Sequence, residues 1–354
     1  MKNKITLLLA GLMFTVFVNC KAPSCVESMP TDMLLISTEG EHTAMGGYDV
    51  TAFFTDNIRN PNTRQAYFRA AFQFFHWCDE LELSFSDIES FHVSAYIEHV
   101  LAERSKSTAK QHLAAIRMLY DWLIVGQIVE VNPAHAVRGP KHVVSEGTTP
   151  ILDADQMAQL IEAIDTNFHV GLRDRALIAT MTATFGRIEA VLGMNAADYY
   201  DDGKSWSIKL REKNGKTIVM PVQHKLEEFL DAYIEAAGGA EQFPYELGKS
   251  GRPTKRQPLF RSTRGRSGVL NENRMSRQDA WRMIKRRAAQ AGINAKICNH
   301  SFRGTGITNY LENNGTLTEA QRMAGHSDPR TTRLYDRRNQ AITRGEVEKI
   351  SILG

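Results

Sequence analysis

The sequence predicts a mainly α-helical protein with one small β-hairpin or sheet, arranged as a helical domain followed by an α+β domain. Three observations carry this. Apolar residues recur at helical spacing through 62–125. A stretch rich in Gly, Pro, Ser and Lys interrupts the pattern at 138–150. In the second half, Asn214-Gly215 lies between two alternating runs, Trp206 to Arg211 and Thr217 to Val222, a strong hairpin signal. The chain is thus divided into an extension over 1–45, a helical domain over 46–137, a linker over 138–150 and a second domain over 151–354. A length of 354 residues suits two domains. With 42% apolar and 23% charged residues the composition is globular, which excludes collagen-like, wholly disordered and polytopic membrane proteins.

In the extension, Lys2 and Lys4 precede a mostly apolar run, Ile5 to Val18, and then Cys20. This resembles a secretory signal of lipoprotein type. Phe17 and Asn19 stand where the cleavage box usually carries small residues, and the run is short for a membrane-spanning helix. A secreted lipoprotein and a misassigned upstream start, with Met29, Met33 or Met45 as the real one, are the two readings. The four cysteines, Cys20, Cys25, Cys78 and Cys298, include no CxxC pair, so neither a disulfide framework nor a thiolate zinc site is expected.

Asn62-Thr63 is expected to cap a helix to about Glu80, with Tyr67, Ala71, Phe74, Phe75 and Cys78 on one face. A second helix is expected over Ser86 to Ala102 behind a Ser86/Glu89 capping box, and a third over Thr108 to Val125. Asn132-Pro133 and Gly139-Pro140 stop the pattern. Beyond the linker, helices are expected over Asp153 to Asp165, Arg173 to Leu192, His224 to Ala237, Arg277 to Ala291 and Ser301 to Asn313. A short helix from Thr318 ends at Gly325, and Asp328-Pro329 starts another that runs to about Arg337.

Net charge is only +3, but it is unevenly spread. Arg252 to Arg287 holds twelve Lys/Arg and two acids, a local +10 that leaves −7 for the rest. Such a segment is either a solvated face or a surface for a polyanion, most simply nucleic acid. Ser105, Lys106, Ser107, Thr108 and Lys110, at a helix start, read equally as a cap or as phosphate contacts.

Several residues then stand out. Arg187 falls inside an apolar helical stretch, Phe185-Gly186-Arg187-Ile188-Glu189, and Lys213 stands just before the hairpin Asn-Gly. His300 and Arg303, at i and i+3, share a helix face. His326 follows Gly325 at a tight turn, and Tyr335 comes nine residues later. Singly, each has an ordinary structural explanation.

Together, from about Asn60 to Arg338, they resemble the tyrosine recombinase (phage integrase) family. The order Arg, hairpin Lys, His-x-x-Arg, Gly-His, Tyr matches the family's catalytic set. The resemblance implies a helical core-binding, SAM-like domain and an α+β catalytic domain that clamp duplex DNA between them. It implies cleavage and rejoining of DNA through a 3′-phosphotyrosyl intermediate. Arg187 and Arg303 would clamp the scissile phosphate, His300 and His326 would be the paired histidines, Lys213 the general acid and Tyr335 the nucleophile. One position departs: an acid often stands three residues after the first arginine, where this chain has Ala190, with Glu189 one place early.

The residue types suit the chemistry. Planar guanidiniums hold two phosphate oxygens at once, which lysine cannot do. A tyrosine attacks well only beside strong positive charge or a base. The phosphotyrosyl link stores the energy of the cut bond, so no ATP is needed, and no phosphate-binding G-x-x-x-x-G-K-[ST] loop occurs. No cofactor and no metal is expected. The implied partners are duplex DNA with inverted core sites, a tetramer assembled on it, and accessory DNA-bending proteins, with no membrane and a cytoplasmic location. Within the family the chain reads more as a mobile-element integrase than as a chromosome-dimer resolvase. The rival readings are a DNA-binding protein of this fold without catalysis and a type IB topoisomerase-like enzyme.

Overall fold

The computed structural model describes residues 44–45, 48–49, 53–54, 57–83, 87–141, 147, 149–212, 215–238, 257–265, 267–336 and 347. The signal-like segment, Lys213 and Asn214, and nearly all of the tail after 336 lie outside them. Contacts divide the chain into two compact units, 1–143 and 144–354.

The first unit opens with a two-residue antiparallel pair, β1 (Ala44–Met45) and β2 (Tyr48–Asp49). Three helices follow: α1 (Pro61–Glu80), α2 (Ser90–Glu103) and α3 (Lys106–Val125). The caps sit beside the expected positions. Asn60, not Asn62-Thr63, caps α1, accepting from the Asn62 and Thr63 amides at 3.0 and 3.2 Å. Pro61 then takes the first helical position, where its missing N–H costs nothing. Glu89 caps α2, with its amide donating to His92 Nδ1 at 3.0 Å, while Ser86 is outside the described residues. Ser105 caps α3, accepting from the Thr108 amide at 3.2 Å. Phe74, Tyr96, Leu113, Ile116, Leu119 and Leu123 form the core of this unit. Inside it Tyr96 Oη and His112 Nδ1 share a hydrogen bond of 2.9 Å. Burial, and then Arg104, holds the His112 pKa below its ordinary value.

The second unit begins with α4 (Ala154–Glu162), whose Asp153/Gln156 box is closed by bonds of 2.8 and 3.2 Å. The expected single helix from Arg173 to Leu192 is two helices, α5 (His169–Ala183) and the short α6 (Ile188–Leu192). A three-stranded antiparallel sheet follows: β3 (Tyr199–Asp201), β4 (Trp206–Arg211) and β5 (Thr217–Pro221). Arg211 pairs with Thr217, and this pair ends the β4–β5 ladder. Next come α7 (His224–Ala236), a second hairpin of β6 (Arg261–Thr263) and β7 (Leu270–Arg274), and α8 (Arg277–Gln290). The chain continues through α9 (Asn299–Glu312), α10 (Leu317–Ala324) and α11 (Pro329–Arg333). The cap of α10 is Thr316, accepting from Glu319 N at 3.2 Å, two residues before the expected Thr318.

Helix α5 is buried on nearly every side and packs on α7 and α9. Its approach to α9 demands glycine: a Cβ on Gly306 would lie 2.0 Å from the Thr182 carbonyl oxygen. At the other end of α5, Asp174 is fully buried and bound by arginines. It accepts from Arg173 Nε at 3.0 Å, Arg287 Nε at 2.9 Å and Arg286 Nη2 at 3.4 Å. Arg173 also donates to the Arg261 carbonyl at 2.9 Å, joining α5, β6 and α8.

This revises the view of Arg252–Arg287 as a single surface. Arg261 and Arg287 are buried, and Arg274 donates to the Met194 carbonyl at 2.7 Å and to Asn195 Oδ1 at 2.7 Å. Counting charge along the chain cannot separate arginines that brace the fold from those that face solvent. Exposed Arg282 and half-buried Lys285 on α8 do reach solvent, with Lys285 Nζ 5.8 Å from the ring centroid of half-exposed Trp281.

Candidate active site

Five of the six candidate residues are described, and all five are carried by the second unit, on the segments around α6, α9, α10 and α11.

Arg187 is not in mid-helix. Thr184 caps α5, and Phe185 takes a left-handed conformation with φ 52°. The Gly186 amide then donates to Thr184 Oγ1 at 3.2 Å. Arg187 is left in extended backbone as the residue capping α6. A non-glycine residue at positive φ costs ~1–3 kcal/mol and persists only where its surroundings over-determine it. Here the Phe185 ring is buried against Ile307 and Leu311, edge-on to Tyr310 at 5.9 Å. Its carbonyl accepts from Arg303 Nη1.

Arg303 is 1% exposed, yet no carboxylate binds it among the described residues. Its guanidinium donates to two backbone carbonyls, Phe185 and, at 2.6 Å, Ala324. Burial, then repulsion from Arg187, pushes its pKa down to about 10, against weaker support from Glu212 and Tyr335. It stays a cation at neutral pH. A buried cation satisfied only by neutral dipoles leaves positive charge for an incoming anion.

His300 lies in the first turn of α9, exposed at the rim. Partial desolvation, then Arg303 and Arg187, lowers its pKa from 6.5. His326 is buried. It follows Gly325, which ends α10 at φ 61°; a Cβ there would meet Ile218 Cδ1 at 2.8 Å. That close approach brings the turn against the β4–β5 hairpin. His326 Nδ1 shares a 2.9 Å hydrogen bond with Thr332 Oγ1. Its ring stacks on Tyr335, with centroids 6.1 Å apart and planes 9° from parallel. Burial, then Arg303, Arg187, His300 and Lys216, pushes its pKa down to about 3, so it is neutral at physiological pH.

Tyr335 lies just beyond α11 rather than on it, because the helix ends at Arg333 and the Tyr335 amide donates to Thr332 in a tight turn. Its carbonyl accepts from Thr308 Oγ1 at 2.9 Å. A Cβ on Gly304 would stand 3.2 Å from its ring, so glycine there leaves room for the phenol.

The sequence reading missed three contributors. Glu212, buried beside the hairpin tip, pairs with Arg187 Nη1. Thr332 holds His326, and Lys216 lies near the Gly325 turn. Only Lys216 had a signal, as a second lysine in the hairpin. Among the described residues no group of three or more His, Cys, Asp or Glu could hold a metal ion, and no helix is long and apolar enough to cross a membrane.

The depressed His326 pKa has a thermodynamic consequence. Between pH 6.5 and about 3 the unfolded chain binds a proton that the folded chain refuses. The stability this group confers is therefore complete above pH 6.5 and is lost as pH falls. The slope from one such group is up to ~1.4 kcal/mol per pH unit. Urea unfolding of His326→Gln across pH 4–7 is expected to show a flatter pH dependence than the wild type. An unchanged slope would contradict the burial of a neutral imidazole.

Residues 150–341 match the phage integrase family, and residues 47–128 match the phage integrase N-terminal SAM-like domain. Tyrosine recombinase XerD of Staphylococcus epidermidis is 26% identical over 277 residues, covering 77% of this chain and 87% of that protein. Tyrosine recombinase XerD of Mycobacterium tuberculosis is 29% identical over 238 residues, covering 66% and 70%. Among solved structures, XerH site-specific recombinase bound to a palindromic difH substrate, a post-cleavage complex, matches with TM-score 0.59 at 17% identity, over 81% of this chain and 78% of that one. A lambda integrase dimer bound to a COC′ core site matches with TM-score 0.60 at 17% identity, over 83% and 80%. At that identity the likeness is one of fold.

Proposed function

The chain belongs to the phage integrase family, site-specific tyrosine recombinases that cut and rejoin DNA, and on that premise we propose how its own residues do so. Tyr335 Oη attacks the scissile phosphorus, forming the Tyr–O–P bond as the P–O5′ bond breaks. Arg187 and Arg303 hold the non-bridging oxygens, whose charge grows in the transition state; a preorganised donor of this kind is typically worth ~3–4 kcal/mol. His326, its Nδ1 held by Thr332, offers Nε2 to the same oxygens. Neutral His300 at the rim accepts the phenolic proton, and Lys213 protonates the departing 5′ oxygen. Rejoining is the reverse, with a 5′ hydroxyl attacking the phosphotyrosine.

The observation that carries this reading is Arg303, a buried cation held among the described residues by two carbonyls and no carboxylate, with Tyr335 among the groups that act on its charge. An anion-free fold has little reason to keep such a charge. We read the substrate as duplex DNA with paired inverted core sites, bound by four copies with accessory DNA-bending proteins. The place of action is the cytoplasm, and the DNA flanking the gene would carry the sites. The first unit, which matches the SAM-like domain, is the core-binding half of this reading.

The test uses a nicked suicide substrate, which traps the covalent adduct. Lys213→Ala is expected to slow cleavage by ~10²–10⁴ for loss of general-acid catalysis. A 5′-bridging sulfur leaves without a proton, so that substrate should restore the rate. Equal failure on both substrates removes Lys213 from the role. Rescue of Lys216→Ala in its place would move the role to the second lysine. Holliday-junction formation from paired sites separates a recombinase from a topoisomerase-like enzyme, and any wild-type adduct rules out a non-catalytic DNA-binding protein.

A further inference from the structure

The position where the family pattern often has an acid is Ala190, buried and unable to touch a guanidinium by charge. Glu189, its neighbour, points elsewhere: it is 63% exposed and pairs with Arg277 at 3.1 Å. Arg187 nonetheless has a carboxylate partner. Glu212, the residue after β4, is 6% exposed, and its Oε2 accepts from Arg187 Nη1. Its Oε1 lies 3.4 Å from the Arg187 amide nitrogen, so one carboxylate meets both the backbone and the side chain of the same residue. The Glu212 amide donates to the Lys216 carbonyl at 2.7 Å, which closes the hairpin. Its Cγ lies 3.8 Å from where a Gly325 Cβ would be, so it also reaches the turn that carries His326.

We propose that Glu212 is the positioning residue for Arg187, supplying from the base of the hairpin the orientation that no acid on α6 supplies. The inference rests on the reading of Arg187 as a phosphate clamp. Arg187 is itself about one third exposed, with four rotatable bonds. Left alone it would sample many rotamers, and fixing it at the moment of reaction would cost entropy. A buried carboxylate bound to one edge of the guanidinium removes that freedom beforehand and leaves the other N–H groups for the phosphate. Glu212 offsets one of the two arginines, and with both histidines neutral the site keeps net positive charge for a phosphodiester of charge −1. Because Lys213 follows directly in the chain, the same contact ties the hairpin's base to the arginine.

A merely charge-neutralising role would look different. In that case removing the carboxylate would strengthen the positive field and leave cleavage unchanged or faster. The experiment is a double-mutant cycle on single-turnover cleavage of the nicked substrate by the full chain: wild type, Glu212→Gln, Arg187→Ala and the double variant. Glu212→Gln is expected to cleave ~10–100-fold more slowly, the usual scale for outer-shell partners. DNA affinity and melting temperature should stay close to wild type. The double variant should be no slower than Arg187→Ala alone. Glu212→Asp, which keeps the charge on a shorter arm, should fall between Glu212→Gln and wild type, and it keeps the test alive should Glu212→Gln fold poorly.

A second readout uses methylphosphonate at the scissile position, where one charged oxygen becomes a methyl group. In the isomer lacking the oxygen that Arg187 holds, the Glu212→Gln defect should largely vanish. Wild-type or faster cleavage by Glu212→Gln overturns the inference, as does a defect that multiplies with that of Arg187→Ala. Normal cleavage by Arg187→Ala would instead sink the clamp reading itself, and so the two failures are distinguishable.

Discussion

Asp174→Ala is expected to destabilise the second unit by ~3–5 kcal/mol, the cost of stripping one partner from a buried ion cluster. Typical total stability is only ~5–15 kcal/mol. The side chain is fully buried and meets three arginines, two of them also buried: Arg173 at 3% and Arg287 at 10% side-chain exposure. Removing the carboxylate leaves those cations facing each other with no anion between them. Asp174→Asn keeps the shape and one acceptor but loses the charge, and should fall between. The contrast is Glu228→Ala. That residue pairs with Lys225 at 2.6 Å, but both side chains are more than 60% exposed, so the loss should stay within ~1 kcal/mol. Urea unfolding of the three variants checks this, and equal losses for Asp174→Ala and Glu228→Ala would contradict it. The cluster also matters to the site. It fixes α5, whose far end leads into Phe185 and Arg187.

Much of this was legible from residue order. The helices around Phe74, Ile116 and Leu119 announced themselves by spacing, and Asn214-Gly215 marked the hairpin. The expected recombinase motif could be read because its pieces are short-range signals: His-x-x-Arg on one turn, Gly-His at a helix end, Tyr nine residues on. What could not be read was set by tertiary contact. The break after Ala183 has helix-compatible residues on both sides; what holds Phe185 at positive φ is a packed ring and a carbonyl given to Arg303, 118 residues away. Glu212 drew no notice in the sequence because the arginine it binds lies 25 residues upstream. Arg261, Arg274 and Arg287 were counted with the surface cations because charge alone says nothing about which way a side chain turns.

Tyr335→Phe is the second large expected effect. It removes one oxygen and keeps the ring that stacks on His326 and packs against Gly304, so the fold and DNA affinity should survive. Among the described residues no other hydroxyl nearby is equivalent. Thr332 is buried and committed to His326, and Asp336, one residue on, is a carboxylate rather than a phenol. Without the phenolic oxygen the proposed arginine clamp would hold a phosphate that nothing attacks. The direct measurement is the covalent protein–DNA adduct on a nicked suicide substrate, resolved by denaturing electrophoresis. Wild-type protein should accumulate adduct, and Tyr335→Phe should bind the same DNA and give none. Adduct formed by Tyr335→Phe would contradict the assignment of the nucleophile and, with it, the account of the site.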